Sequence, residues 1–209
     1  MSSGPGPEMS LAGQVDAAVE ALLAGRVVVL PTDTVYGVAA ATAVPGATAA
    51  LFEVKRRPVD VALPVLCSDE AQARSLAGSL PPGAEVLMAG AWPGPLTLVV
   101  PRRHGLDLDL GGPDGATIGL RVPAADLVRE IATLVGPLAC TSANRHGRPT
   151  PATAAEAAAA LGPEVAVVVD GGRCEGLAST VVGWTGDVHR ILRHGALTAD
   201  EIDALLDQR

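Results

Sequence analysis

Polar and basic side chains occur two or four residues apart at several places where apolar stretches of this sequence end. The sets are Thr32 and Thr34 in "PTDT", Thr117 and Arg121 in "TIGLR", and Ser142 and Asn144 in "TSAN". Because successive side chains of a strand point to opposite faces, residues at these spacings share a face. We therefore predict that each set lies together where a strand ends, the place where α/β sheets usually bind their ligands.

Two cations, Lys55 and Arg57, occur at the same spacing in "KRRP". Pro58 disfavours helical geometry at Arg57, so the two side chains face one way if Lys55 is already leaving the preceding helix. Two cations at a strand-end crevice suit a polyphosphate or a carboxylate. The alternative interpretation is that "KRRP" is the solvent-exposed end of a helix, because cations are also favoured at a helix C-terminus.

Taken one at a time, the other polar segments have structural explanations. Thr32, Thr34, Ser142 and Asn144 could form turns or caps, since such side chains satisfy local backbone groups. Arg121 could form a salt bridge on an edge strand, and Asp170 could end a strand with a turn. His146 is interpreted as a loop residue, and no second histidine stands at metal-binding spacing. Phosphate-loop, GxGxxG, GxSxG and HExxH motifs are absent from the sequence.

The composition favours one well-buried domain. The chain has 209 residues, of which 48% are hydrophobic, and only one Phe, one Tyr and two Trp, so the core must consist of Ala, Val and Leu. A net charge of −8 argues against a broad basic surface for nucleic acid. Three separated cysteines, Cys67, Cys140 and Cys174, indicate reduced thiols in a cytoplasm. No apolar stretch reaches the roughly 20 residues that span a bilayer.

The pattern of elements predicts an open, mixed α/β sheet with flanking helices. Residues 1–10 are expected to be a flexible tail, and residues 11–209 a single domain. The first helix has Ser10 as its N-cap and ends at Gly25. "VVVL" at 27–30 is a buried strand, a second helix covers about 45–56, and residues 104–116 form an extended loop. Further strands are predicted in "LPVLC", "PLTLVVP", "TIGLRVP", "PLACTSA", "VAVVVD", "STVVGW" and "HRILR", with helices between several of them.

Read in order, the motifs resemble the YrdC-like family of threonylcarbamoyl-AMP synthases. They are "PTDTVYG", "KRRP", "WPGPLTLVV", "TIGLRVP", "TSANRHGRPT", "VVVDGG", "STVV" and "ILRHG", and they extend from about Val27 to Gly195. The family's KxR and SxN tetrad is matched by Lys55, Arg57, Ser142 and Asn144. The resemblance implies an open twisted sheet with a large, positively charged concave pocket, in the short, single-domain form of the family.

The resemblance also implies an enzyme that joins L-threonine, bicarbonate and ATP into threonylcarbamoyl-adenylate and releases pyrophosphate. Mg²⁺ is expected to accompany ATP, without a dedicated protein metal site. The product would pass to downstream proteins that make the t6A modification at position 37 of tRNA, and weak direct binding of tRNA is a further expectation. No membrane association is expected, and the location implied is cytoplasmic.

The resemblance assigns roles to residues of this chain. Thr32, Arg121 and Ser179 correspond to threonine-binding positions. The ATP-binding positions are Lys55, Arg57, Thr117, Ser142, Asn144, Thr150 and Arg193, and the tetrad among them is the catalytic set. The departures from the family pattern affect the threonine site most. "VDVALPVL" replaces a common Pro-Leu pair, at Ala62 and Leu63, Gly183 replaces an aspartate, and a histidine that helps to bind threonine in some members has no counterpart.

Two other functions remain as alternatives. Some YrdC-like domains bind double-stranded RNA or tRNA without catalysis, although the acidic charge and the scarcity of aromatic residues weigh against this for the present chain. Others handle carbamoyl-adenylate inside multidomain carbamoyl-transfer proteins that also carry acylphosphatase or zinc-finger segments. The roles of Asp33, Thr34 and Tyr36 stay open at this stage.

Overall fold

The computed structural model describes residues 9–113 and 115–207. Most of the predicted flexible tail, residues 1–8, lies outside this part of the chain. The described helices are α1 (Leu11–Leu23), α2 (Ala47–Lys55), α3 (Glu70–Leu76), α4 (Ala84–Ala91), α5 (Asp126–Val135), α6 (Ala154–Leu161) and α7 (Ala199–Leu206). The described strands are β1 (Val28–Pro31), β2 (Tyr36–Ala41), β3 (Val65–Leu66), β4 (Leu96–Pro101), β5 (Thr117–Arg121), β6 (Leu138–Ser142), β7 (Val167–Val168), β8 (Thr180–Thr185) and β9 (Val188–Arg193).

These strands form one mixed sheet in the order β7-β1-β2-β6-β3-β5-β4-β8-β9. Three pairs are parallel, β1 with β7, β3 with β5 and β4 with β8, and the other neighbours are antiparallel. The predicted mixed α/β fold is therefore confirmed. Among the described residues, no helix has the length and apolar character needed to cross a bilayer.

Helices pack on both faces of the sheet, which explains why its central strands are so apolar. In β1, Val28 and Leu30 contribute to the core on the α1 and α5 side, while Val29 contributes to the core on the opposite side with α2, α4, α6 and α7. A strand buried on both faces has no reason to alternate polar and apolar residues. The run "VVVL" follows from this position.

Local signals set the ends of the helices much as the sequence predicts. The Ser10 side chain accepts a hydrogen bond from the Gly13 amide at 3.2 Å and so caps α1, which makes Ser10 part of the helix start rather than of a free tail. Gly25, just beyond α1, has a positive φ of 74°. The helix predicted over about 45–56 is shorter, and it ends at Lys55 because Arg56 takes a left-handed conformation with φ 52°.

One strand was not predicted. The segment "YGVAAA" forms β2, which pairs antiparallel with β1 in the register Pro31 with Tyr36. Residues 32–35 are therefore the turn of a β-hairpin, and the i, i+2 argument for a strand does not apply to Thr32 and Thr34. Apart from Tyr36 and Val38, β2 consists of Gly and Ala, which are uncommon in strands. The loop expected at 104–116 contains no helix or strand over its described residues, which exclude Asp114.

Candidate active site

The β1–β2 turn brings two threonine hydroxyl groups together within itself. Thr32 Oγ1 lies 3.0 Å from Thr34 Oγ1, donates to the Val35 carbonyl at 2.6 Å and accepts from the amides of Thr34 and Val35. Because the Thr32 proton goes to the Val35 carbonyl, Thr34 is the donor between the two hydroxyls. The interpretation of "PTDT" as a turn is thus correct, because the Thr32 hydroxyl makes its hydrogen bonds inside the turn. The side chains of Thr32 and Thr34 also border a cavity.

Arg121, the last residue of β5, reaches this turn. Its Nη2 donates to Asp33 Oδ1 at 2.7 Å, its Nη1 to Thr34 Oγ1 at 3.0 Å and its Nε to the Gly94 carbonyl at 2.9 Å. The Arg121 side chain is 6% exposed and that of Asp33 15%. The salt bridge predicted as an alternative for Arg121 is therefore present, but its edge-strand location is wrong, because β5 lies between β3 and β4 inside the sheet.

Ser179, immediately before β8, is held between two neighbours. Its hydroxyl lies 2.8 Å from Thr97 Oγ1, and Arg193 Nη2 donates to both the Ser179 carbonyl at 2.7 Å and its hydroxyl at 3.0 Å. Gly195 allows this close approach, since a Cβ there would lie 2.2 Å from the Ala178 carbonyl oxygen. The structure thus brings the motifs "PLTLVV", "STVV" and "ILRHG" into contact around Ser179.

Three members of the tetrad form a hydrogen-bonded cluster. The Lys55 ammonium donates to the Ser142 carbonyl and, at 3.4 Å, to Asn144 Oδ1, and the Ser142 hydroxyl donates to the same Oδ1 at 2.5 Å. The Lys55 residue is only 2% exposed. Burial, and then the charge of Arg57, lower the pKa of Lys55 to about 8.

Arg57, the fourth member, holds the chain that follows it. Its guanidinium donates to the carbonyls of Val61 and Ala62 at 2.9 and 3.0 Å. Lys55 is still helical rather than leaving the helix, so the geometric reason given for its alignment with Arg57 is wrong. The two cations nevertheless lie close enough for the charge of Arg57 to depress the pKa of Lys55.

Most of the predicted site residues line two adjoining cavities on the sheet. The first cavity has a volume of about 230 Å³, and the predicted residues in its wall are Thr32, Arg121, Ser142, Thr150, Ser179 and Arg193. The second measures about 210 Å³ and includes Arg57, Thr117 and Arg193. Pro64, Thr97 and Arg193 belong to both walls, so the two cavities adjoin each other. Lys55 and Asn144 line neither cavity, and they are hydrogen-bonded to Ser142, which does line the first one.

Electrostatics make this cavity a site for anions. Burial, and then Arg193, lower the pKa of Arg57, and burial, and then Arg121, lower the pKa of Arg193. All three guanidinium groups keep their charge in proteins. Across the described part of the chain, Asp33 is the only carboxylate that forms an ion pair with Arg57, Arg121 or Arg193, and its partner is Arg121. The surplus positive charge favours a ligand with several negative groups.

Several wall residues were not predicted. Thr97 is a buried hydroxyl in an otherwise apolar strand, and this contrast is the one signal that could have pointed to it. Gly37 and Cys140 also form part of the wall. They are close neighbours, since a Cβ at Gly37 would come within 2.6 Å of Cys140 Sγ. Asp33 reaches the site through Arg121, 88 residues away in sequence.

The sequence departures at Ala62 and Leu63 and at Gly183 fall at different distances from these cavities. Ala62 and Leu63 line the second cavity, where the Ala62 carbonyl holds Arg57. Gly183, in β8, lines neither of these two cavities. It packs against Leu192 of β9, whose Cδ1 lies 2.7 Å from the place that a Cβ of residue 183 would occupy. The change at Ala62 and Leu63 therefore bears on the site directly, whereas the one at Gly183 does not.

The fold and the site together define an α/β protein whose open mixed sheet carries a pocket lined by arginines. The family model Sua5/YciO/YrdC, described as telomere recombination, matches residues 20–195, and the chain belongs to this family. The resemblance found in the motifs is thereby confirmed.

Individual relatives agree with this assignment. A Mycobacterium tuberculosis protein is 41% identical over 201 residues, which cover 96% of this chain and 92% of the relative. The threonylcarbamoyl-AMP synthase of Bacillus subtilis is 35% identical and covers 92% of this chain and 56% of its own length. Crystalline Pyrococcus abyssi Sua5 in complex with L-threonine superposes with a TM-score of 0.86 at 32% identity, over 95% of this chain and 58% of the archaeal one. This chain thus spans little more than half of the last two proteins.

Proposed function

We propose that this protein is a threonylcarbamoyl-AMP synthase, a nucleotidyltransferase that forms threonylcarbamoyl-adenylate and pyrophosphate from L-threonine, bicarbonate and ATP. The observation that carries the proposal is the convergence of Arg57, Arg121 and Arg193 on two adjoining cavities that share Arg193. Relatives that bear this enzyme name, and one crystallised with L-threonine, support the choice of substrates.

The chemistry asks the protein for positioning and for neutralisation of charge. The threonine amine combines with bicarbonate to give a carbamate and water, and a carbamate oxygen then attacks the α-phosphate of ATP and displaces pyrophosphate. Such a transfer needs little covalent help from side chains. Guanidinium groups held in place before the reaction are suited to stabilise the charge that builds up on the phosphates.

The residue roles in this proposal extend over both cavities. Arg57 and Arg193 would contact phosphates, with Thr117 and Thr150 at the ends of the nucleotide site. Lys55, Ser142 and Asn144 would act as one cluster whose exposed member is Ser142.

Arg121 would bind the threonine carboxylate, with Ser179 and Thr32 beside it. Because the hydrogen bonds of the Thr32 hydroxyl are made inside the turn, the role proposed for Thr32 rests on its position in the wall.

Mg²⁺ would arrive as the ATP complex. No group of three or more His, Cys, Asp or Glu side chains is assembled to hold a metal ion within residues 9–113 and 115–207. Mg²⁺ commonly binds through substrate phosphates and retains several water ligands, which suits a cavity lined by arginines. The ion would then supply charge neutralisation along the leaving pyrophosphate.

The test is release of pyrophosphate from ATP by the pure protein with Mg²⁺. We expect release that requires both L-threonine and bicarbonate. Arg57→Ala removes a charge-assisted hydrogen bond, which is worth about 1.5–3 kcal/mol, so catalytic efficiency with ATP should fall by about tenfold or more. Arg74→Ala, which removes an exposed arginine paired with Glu70 and Glu85, is the matched control.

Pyrophosphate release without dependence on threonine would refute the proposed reaction, and an Arg57→Ala enzyme with full activity would refute the phosphate role. A titration of tRNA binding against salt tests the RNA-binding alternative. Tight binding with a steep salt dependence, in a protein that binds no nucleotide, would favour that alternative. The cytoplasmic location and transfer of the product to tRNA-modifying partners belong to the same proposal.

A further inference from the structure

The Asp33 carboxylate contacts the guanidinium group of Arg121. The proposed function assigns the carboxylate of threonine to this same guanidinium group. The Asp33 Oδ1 to Arg121 Nη2 distance is 2.7 Å, with both side chains largely removed from water. A charge-assisted hydrogen bond of this kind fixes the orientation of the guanidinium plane. Arg121 is therefore held in place before any ligand arrives.

The contact also joins two distant parts of the sheet. Asp33 lies in the β1–β2 turn, whereas Arg121 ends β5, and strands β6 and β3 lie between β2 and β5. Neighbouring strands are about 4.8 Å apart, so β2 and β5 are separated by roughly 14 Å across the sheet, and the side chains of Asp33 and Arg121 bridge this gap. Gly176 packs against the other side of the turn, where a Cβ would lie 2.6 Å from the Thr34 carbonyl oxygen.

A directed chain of hydrogen bonds runs through the turn. Arg121 Nη1 donates to Thr34 Oγ1, Thr34 donates to Thr32 Oγ1, and Thr32 donates to the Val35 carbonyl. Of the five N–H groups of Arg121, the described residues accept three. One N–H on each terminal nitrogen has no acceptor among the described residues, so two donors remain for a ligand.

We propose that Asp33 is a positioning residue for threonine: it holds Arg121 so that the two remaining N–H groups meet the amino-acid carboxylate. This inference rests on the proposed function. Loss of the Asp33 charge leaves Arg121 bonded only to a hydroxyl and a carbonyl, so its guanidinium group is held less firmly. The consequence is weaker binding of threonine, with binding of ATP little changed.

The experiment measures L-threonine binding by calorimetry and the KM values of both substrates in the pyrophosphate assay. Asp33→Ala should weaken threonine binding by about tenfold, the loss expected for a charged hydrogen bond. Asp33→Asn keeps an oxygen acceptor and should recover part of that loss, and it also carries the test if the alanine variant fails to fold. The KM for MgATP should change by no more than about twofold.

Glu85→Gln is the matched control, because it removes a carboxylate that pairs with Arg74 at 2.8 Å on the surface. It should leave threonine binding unchanged. Threonine binding by Asp33→Asn that equals or exceeds that of the wild type would overturn the inference, as would equal increases in both KM values. Failure of the wild-type protein itself to bind threonine, with or without MgATP, would instead refute the proposed function on which the inference depends.

Discussion

Lys55 is the only lysine in the sequence, and its side chain is buried at the C-terminal end of α2. Its ammonium donates to the Ser142 carbonyl and Asn144 Oδ1, so it joins α2 to the end of β6. Burial and the charge of Arg57 lower its pKa from 10.5 to about 8. The residue therefore changes charge close to physiological pH.

This titration can be observed directly, because lysine labelled with ¹³C gives a signal from a single residue. We expect the Lys55 Cε resonance to titrate with a midpoint near pH 8. Arg57→Ala should raise the midpoint by removing a like charge, and bound MgATP should raise it by adding negative charge. A midpoint at 10.5, or one that neither change moves, would contradict the role assigned to this pair.

The same shift sets the sign of a stability effect. Between about pH 8 and 10.5 the unfolded chain retains the Lys55 proton that the folded chain has lost. The contribution of Lys55 to the free energy of unfolding therefore increases with pH across this window. In a Lys55→Met variant this contribution is absent.

At the level of elements, a segment without helix or strand, residues 170–179, covers the β1–β2 hairpin. Tyr36, fully buried at the start of β2, holds this segment. Its hydroxyl donates to the Gly172 carbonyl at 2.6 Å and accepts from the Gly171 amide at 3.3 Å. Cys174 adds a contact from its thiol to the Thr32 carbonyl at 3.5 Å. The Tyr36 hydroxyl thus stabilises the wall of the site without lining the cavity.

We expect Tyr36→Phe to lower the free energy of unfolding by about 1 kcal/mol, the net value of one hydrogen bond. Burial raises the pKa of Tyr36 to about 12, so the effect should not vary between pH 6 and about 9. Urea unfolding measures the change, and amide hydrogen exchange should show faster exchange in residues 170–179, with α5 as the internal reference. Unchanged exchange in that segment would show that Tyr36 does not hold it.

Much of the architecture could be predicted because its signals are local. Caps such as Ser10 and apolar runs such as "VVVL" act within a few residues. Strand β2 was missed, because its alanines show no strand preference by themselves and depend on the neighbours β1 and β6. The two-residue strands β3 and β7 are likewise defined by their partners.

The site was predictable only in part, for a similar reason. Motif order brought Arg121, Ser142 and Ser179 to one cavity, as expected. The interactions that fix their orientation join residues far apart in sequence. Asp33 pairs with Arg121 88 residues away, and Tyr36 bonds to Gly172 136 residues away. No local spacing rule identifies such partners.

Across the whole molecule, the charge of the pocket opposes the charge of the chain. The net charge is −8, yet Arg57, Arg121 and Arg193 converge on two adjoining cavities. Both Arg57 and Arg193 have a pKa lowered by burial and, to a smaller extent, by another arginine. A bound polyanion removes this repulsion, whereas the acidic remainder of the surface disfavours long nucleic acids.

Inorganic pyrophosphate should therefore stabilise the folded protein as a whole. At a concentration 100 times its Kd, a ligand that binds only the native state adds about 2.7 kcal/mol. For a chain of this size that corresponds to a rise in Tm of roughly 5–10 °C, measured by calorimetry at low ionic strength. Sodium chloride at high concentration should reduce the rise by screening the charges. Arg57→Ala should reduce it as well, whereas Arg74→Ala should not. A shift that is equal in these two variants would show that pyrophosphate binds outside the pocket.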